Sequence, residues 1–416
     1  MTHAAYLDAH ARDLVALLQR LVRVPTVNPP GENYAAITAL LVRELRAAGL
    51  AAQRFPIPTA LLKKHLPRAQ HAFPRYNVLG KLAAPDATAD TKTLHFNAHY
   101  DVVPAAAGWR HGSAFSGAVE GGWIYGRGTA DMKGSIAALL LALRALRASG
   151  ARPRVNVEVS FTADEETDSA LGAGWLVEHA PIAPDYAVVM EGGEGNTIGC
   201  GHNGVVWLEV TVHGRAAHGS LPHRGVNALE KMSALVLALD AHKRALARRR
   251  FRSPDGRVLT PTLNVGGVFA SGPGGKINTV PALARFSIDR RVVPGETVAS
   301  AERELRAFLR TAAKKIPGCR ITIAKVSENH PCYTPPRGPF CAALAACVRR
   351  VRGGRVKFGV STGFNDMHFF AAQRKIPTLG HGPGGQHEHG ADERAKVKEL
   401  VASAKIYAEL MTTFSG

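Results

Sequence analysis

At 416 residues, 46% of them hydrophobic and 20% charged, the chain has a globular composition and exceeds what one hydrophobic core usually serves, so two or three domains are expected. Its 52 Lys and Arg against 33 Asp and Glu leave a formal charge of +19. Most of the excess is scattered arginine on helix faces, the dense basic patches at 243–252 and 349–357 hold few aromatics, and no nucleic-acid motif is recognised, so a specific nucleic-acid partner is not expected. Five cysteines, odd in number and without CxxC spacing, indicate neither a disulfide framework nor a structural zinc cluster, and a cytoplasmic location is expected.

The N-terminal stretch carries acids and a helical period without a long apolar core, so neither a signal peptide nor a membrane span is predicted. Helical spacing runs from Tyr6 to Val22 and stops at Pro25, Pro29 and Pro30. A second helix is predicted from about Tyr34 to Ala48, ended by Gly49. The region Gln53 to Arg75 has no sustained period and reads as an irregular excursion. Strands at Tyr76–Leu82 and Thr93–Ala98 are followed by a helix from Gly134 to Arg147, a strand at VNVEVSFTA, a short helix near Trp175 and a strand at YAVVME. This alternation predicts an α/β fold with a mixed sheet flanked by helices.

Between Gly192 and Gly204 glycine is frequent and apolar residues are scarce, which reads as a linker. Beyond it come a strand (VVWLEVTVHG), a helix (NALEKMSALVLALDAHKRAL), two strands (TLNVGGVFAS, ALARFSIDRRVV), a helix (TVASAERELRAFLRTAAKK) and a strand (CRITIAKV). That βαββαβ order predicts a ferredoxin-like α+β domain. Residues 205–326 are accordingly expected to be an insertion between two parts of the α/β domain, 1–204 and 327–416. The second part resumes with a helix over 339–351, strands at VKFGVS and PTLGHG, and a last helix from about Glu393.

Residues able to do chemistry fall at strand ends and loops of the α/β domain: His99 with Asp101, Asp131 in a glycine-rich turn before the long helix, Glu165 with Glu166, Glu191, and His389. Singly, each has an ordinary reading: a hydrogen-bonded histidine, a helix-capping aspartate, solvated glutamates. Together, imidazoles and carboxylates suit zinc, cobalt or manganese, and a shared carboxylate can hold two ions roughly 3.5–4 Å apart.

The succession HYD, GRGTADMKG, DEE, a glutamate closing a strand, and GPGG with HGADE resembles the di-zinc amidohydrolases that include acetylornithine deacetylase, succinyl-diaminopimelate desuccinylase, aminoacylase and bacterial glutamate carboxypeptidase. The resemblance spans nearly the whole chain. It implies that His99 and Glu191 bind one zinc, Glu166 and His389 the other, and that Asp131 bridges them. It further implies Glu165 as general base for a zinc-activated water, Asp101 as the acid orienting His99, and a cis peptide between Asp131 and Met132. In the inserted domain, His218 in GRAAHGSLPHRG would reach the partner subunit's site in a homodimer and stabilise the oxyanion. Asn278 and Arg291 match positions that contact substrate. His202, His213, His223, His381 and His387 are read as structural.

The implied activity is hydrolysis of an N-acyl amino acid; a dipeptidase or carboxypeptidase using the same residues is the alternative, and a scaffold that has kept the fold without turnover is a third reading. The partners expected are a small acylated amino acid or short peptide and a second copy of the chain, with no membrane. One departure from the family pattern is STGFNDMHFF, where Phe364, Asn365 and His368 alter a loop that shapes the family's substrate pocket.

Overall fold

The computed structural model describes residues 1–272 and 275–416. The chain divides into two compact units, one of Met1–Gly201, Thr334–Gly359 and Asn365–Gly416, the other of His202–Tyr333 and Val360–Phe364.

In the first unit a mixed sheet runs in the order Ala51–Pro56, Tyr76–Leu82, Asn156–Thr162, Thr93–His99, Tyr186–Val189, Thr378–Gly380 and Thr197–His202. Its centre is parallel and its flanks are antiparallel. The central strands are buried almost throughout, as expected where helices cover both faces of a parallel sheet. The α/β fold with a mixed sheet and flanking helices is therefore the one the alternation predicted. The helix Lys133–Ser149, apolar on nearly every side, is buried along most of its length and packs against Val397–Thr413, His3–Ala9 and Ala11–Val22. Parallel pairing brings the carboxyl ends of three strands to one edge: Thr93–His99 ends there, Asn156–Thr162 leads to Glu165 and Glu166, and Tyr186–Val189 leads to Glu191. Ligands bind at such an edge in open α/β sheets.

Three local expectations change. The helix predicted over Tyr6–Val22 is two, His3–Ala9 and Ala11–Val22. They part at His10, whose ring stacks on Tyr6 at 3.7 Å and donates from Nδ1 to the Tyr6 carbonyl (2.8 Å), in competition with the main chain. The Gln53–Arg75 excursion holds most of a strand, Ala51–Pro56, and a helix, Thr59–His65. The glycine-rich stretch read as a linker contains the buried strand Thr197–His202. Its glycines allow close packing, not mobility: a Cβ on Gly199 would stand 2.4 Å from the Gly192 carbonyl oxygen, and one on Gly193 would stand 2.6 Å from the Gly199 nitrogen.

The second unit is a four-stranded antiparallel sheet in the order Thr262–Ser271, Leu283–Val292, Gly204–His213 and Arg320–Asn329, with helices Ala228–Leu246 and Val298–Lys315. This is the ferredoxin-like arrangement predicted from the element order. Strand periodicity puts Val206, Leu208, Val210 and Val212 into the core with Phe286, Ile288 and the helices' Leu235, Leu239, Leu305 and Leu309. Trp207 and Glu209 alternate to the other face, which is half-buried. Asn227 caps one helix, and Thr297 with Ser300 forms a capping box on the other. No helix of the described residues is long and apolar enough to cross a membrane.

Candidate metal centre

His99 closes its strand at 1% exposure. Its Nδ1 faces the Asp101 carbonyl oxygen at 3.0 Å and Asp101 Oδ1 at 3.5 Å. The nearer acceptor is thus the main chain, where the resemblance implied the carboxylate. Nε2 lies 2.9 Å from Asp131 Oδ1, 3.9 Å from Glu191 and 4.0 Å from Glu165. On the other side, His389 Nε2 is 3.3 Å from both Asp131 Oδ2 and Glu166 Oε2. Asp131 therefore presents one oxygen to each histidine. Two ligand-type groups result, His99–Asp131–Glu191 and Asp131–Glu166–His389.

The turns carrying these residues are held by Asp101 and by further buried side chains around them. Asp101 Oδ1 and Oδ2 accept from the main-chain N–H of Glu165 (3.1 Å) and Glu166 (3.2 Å), so this carboxylate shapes the turn bearing the DEE segment. Asp164, with φ +61 just before that pair, accepts from Arg75 Nε (2.8 Å), Tyr34 Oη (2.9 Å) and Asn28 Nδ2 (3.0 Å). Arg75 comes from the end of the Gln53–Arg75 region and is fully buried. Asp366, in the departing loop, accepts from Ser169 and, at 3.3 Å, from Thr162. The peptide between Asp131 and Met132 is cis, as the resemblance implied.

Electrostatically the cluster is short of positive charge. Burial, and then the Asp131 charge, push Glu191 up to about 8. Burial and then Glu191 raise Glu165 well above the usual glutamate range, and burial raises Glu166 against the opposing hydrogen bond from His389. Asp131 alone goes down: burial opposes its charge, but hydrogen bonds from His389 and His99 outweigh it. His389, hydrogen-bonded to Asp131 and Glu166, is raised to about 10. Among the described residues, Glu191 Oε2 is buried without a hydrogen-bond partner. Four acids around two imidazoles with an orphaned carboxylate oxygen form a donor set that fits hard or borderline divalent cations.

The other predicted residues belong to the second unit. Ala217–His218 pairs with Thr279–Val280, and Gly219 N–H donates to the Asn278 carbonyl (2.7 Å), so His218 and Asn278 are neighbours, both exposed. His218 Nδ1 meets Ser220 Oγ at 2.7 Å. Arg291 is not with them. It lies near the far end of strand Leu283–Val292, eight residues from Leu283 or about 26 Å. Its Nε and Nη2 each lie 2.9 Å from the Asp289 carboxylate, and its guanidinium lies 5.7 Å from the Phe364 ring centre. Asn365 turns back to accept from the Met367 N–H (3.1 Å), and His368 is buried beside Phe369.

Residues 95–413 match the Peptidase family M20/M25/M40. A succinyl-diaminopimelate desuccinylase of Nitrobacter hamburgensis is 30% identical over 413 residues, covering 95% of this chain and 97% of its own. Among solved structures, a Staphylococcus aureus tripeptidase superposes with a TM-score of 0.75 at 18% identity, over 97% of this chain and 98% of that one. A dinuclear metal-binding peptidase of the M20 family from Bacillus subtilis does so with a TM-score of 0.69 at 16% identity, over 97% and 98%. By sequence, fold and a metal-competent cluster of histidines and acids, this chain belongs to Peptidase family M20/M25/M40 and is a hydrolase.

Proposed function

We propose that the protein hydrolyses the amide bond of an N-acyl amino acid, as a deacetylase or desuccinylase does. The observation that carries this reading is the Asp131 carboxylate, with one oxygen facing His99 and the other facing His389, while Glu165 stands 4.0 Å from His99 Nε2. Two divalent ions, zinc or in its place cobalt or manganese, would be held by His99 and Glu191, by Glu166 and His389, and by Asp131 between them, and when bound they supply an acidified water and a polarised carbonyl. Glu165 does the proton chemistry as general base. Burial and the neighbouring Glu191 raise its proton affinity, which suits a group that takes a proton from water and returns it to the leaving amine. Asp101 sets the site's shape, since its carboxylate fixes the main chain of Glu165 and Glu166 while its carbonyl orients His99.

In this reading the inserted domain, 205–326, is a lid and dimerisation domain between the catalytic parts 1–204 and 327–416. His218 would be supplied across a homodimer interface to the oxyanion, with Asn278 and Arg291 on the substrate. The exposure of His218 and Asn278 supports contact outside their own unit. The substrate is a small acylated amino acid, without nucleic-acid or membrane partners, and five cysteines, odd in number and without CxxC spacing, suit a reducing cytoplasm.

Cleavage of a dipeptide or a C-terminal residue is the second reading, favoured by peptidases among the structural neighbours. A panel of N-acetyl and N-succinyl amino acids and dipeptides, assayed with the wild type and Glu165→Ala, tests both. The wild type should prefer the acylated substrates, and the variant should lose at least about 100-fold in kcat with its metal retained. Equal hydrolysis with and without Glu165 refutes the mechanism, and a preference for dipeptides selects the second reading.

A further inference from the structure

His389 sits on a loop that cannot hold its own shape. His387, His389 and Asp392 have φ of +62, +61 and +55, three non-glycine residues in the left-handed region within six positions, and each such residue is disfavoured unless its surroundings fix it. The loop is closed at its base by reciprocal bonds, Gln386 N–H to the Arg394 carbonyl (3.0 Å) and Arg394 N–H to the Gln386 carbonyl (3.1 Å). Its interior is held by Glu393, whose carboxylate is fully buried. Glu393 accepts from Arg127 Nη1 (2.5 Å) and from the main-chain N–H of Gly128 (3.0 Å), Ala130 (2.9 Å) and Asp131 (3.1 Å). Arg127 Nη2 in turn donates to the Gly390 carbonyl (3.1 Å), the residue after His389. One buried carboxylate and one guanidinium thus tie the turn that carries Asp131 to the loop that carries His389, across more than 250 positions of sequence. Asp131 is common to both metal positions, but the other two residues of the first have different support: His99 ends a strand paired on both sides, and Glu191 follows another.

We propose that Glu393 is a positioning residue that sets how closely His389 approaches Asp131, and so governs the affinity of the Asp131–Glu166–His389 position more than that of the His99–Asp131–Glu191 position. This rests on the two-ion reading above. A buried hydrogen-bond partner that orients a metal-binding group typically controls about 10- to 100-fold in metal affinity. The loss should fall mainly on one of the two binding events.

The test is metal binding by titration calorimetry and native mass spectrometry, using metal-stripped protein and manganese or zinc as the probe, on wild type, Glu393→Gln, Glu393→Ala and Arg127→Met. Glu393→Gln keeps the acceptor for the main-chain N–H groups and loses the charge facing Arg127, so it remains informative if the alanine variant fails to fold. Wild type should take up two ions. Glu393→Ala and Arg127→Met should bind the first within about threefold of wild type and the second about 10- to 100-fold more weakly, with Glu393→Gln between. At limiting metal the variants' kcat should fall and be restored by excess metal, with KM little changed. Two wild-type affinities in Glu393→Gln, or equal weakening of both ions in folded variants, overturns the positioning role. A wild type that binds fewer than two ions overturns the two-ion reading instead.

Discussion

Replacing Arg75 by Met removes the cation paired with a buried carboxylate. Arg75 and Asp164 have side-chain exposures of 0% and 3%, and the guanidinium's other donors go to Phe73 and Gln70, so the pair is held away from bulk solvent. Asp164 would keep the Tyr34 hydroxyl and the Asn28 amide, two neutral donors. Breaking a buried pair from one side costs about 3–5 kcal/mol, and that loss is expected for Arg75→Met in urea unfolding at neutral pH. Asp164 has its pKa pushed up to about 6, because burial outweighs the Arg75 charge. A carboxyl whose folded pKa lies above its unfolded value costs stability as pH rises through that range. Losing Arg75 raises the value further. The deficit of Arg75→Met should therefore be largest above neutrality and narrow below about pH 6, where the carboxyl is protonated with or without the guanidinium. Adding Asp164→Asn to Arg75→Met should recover about 1–3 kcal/mol relative to the sum of the single changes. A deficit independent of pH, or strict additivity, would show that Arg75 acts through packing and not through Asp164.

Two further outcomes are expected. Replacing His218 by Ala should lower kcat about 100- to 1000-fold, the usual effect of losing an oxyanion donor, and leave the melting temperature unchanged, since the side chain is exposed; an unaltered kcat removes it from the site. Chelation should destabilise the protein more at alkaline than at acidic pH. Glu191 near 8, Glu165 and Glu166 are all raised in the metal-free cluster, as is His389 near 10, and groups with raised folded pKa values lose stabilisation as pH rises. Thermal melts at pH about 6 and about 8.5, with and without chelator, measure the difference, which should be larger at the higher pH because raised groups favour the folded state only while protonated. An equal drop at both pH values refutes it.

The metal-type residues could be picked out as candidates because each stands at a strand end, in a loop or in a glycine-rich turn, and their division into two sets came from the family resemblance. The pairings that support them could not be read in this way. Arg127, Asp164 and Glu393 stand inside the GRGTADMKG, DEE and HGADE motifs, yet nothing local shows that Glu393 meets Arg127 across 266 positions or that Arg75 meets Asp164 across 89. Asp366 lay within a loop noted for its neighbours Phe364 and Asn365, yet it is the residue that the core binds, through Ser169 and Thr162. Periodicity gave both sheets, since the apolar runs and the βαββαβ order carry that information. It misread Gly192–Gly204, because glycine marks close backbone approach as readily as it marks a flexible link. The Gln53–Arg75 region was opaque for a similar reason: its helix is one-sided and only seven residues long, too short for a period to register.

The packing of helix Lys133–Ser149 under helix Val397–Thr413 has a consequence for biosynthesis. The first of these helices leaves the ribosome about 250 residues before the second, at least roughly ten seconds earlier at typical elongation rates. Through that interval the helix, buried along most of its length in the finished chain, lacks the cover that the final helix gives it, and the last histidine of the cluster has not yet been made. Nascent or prematurely terminated chains should therefore be sticky and poor in metal at once. Chaperone binding and metal uptake would then mark opposite sides of a single event, the docking of the final helix.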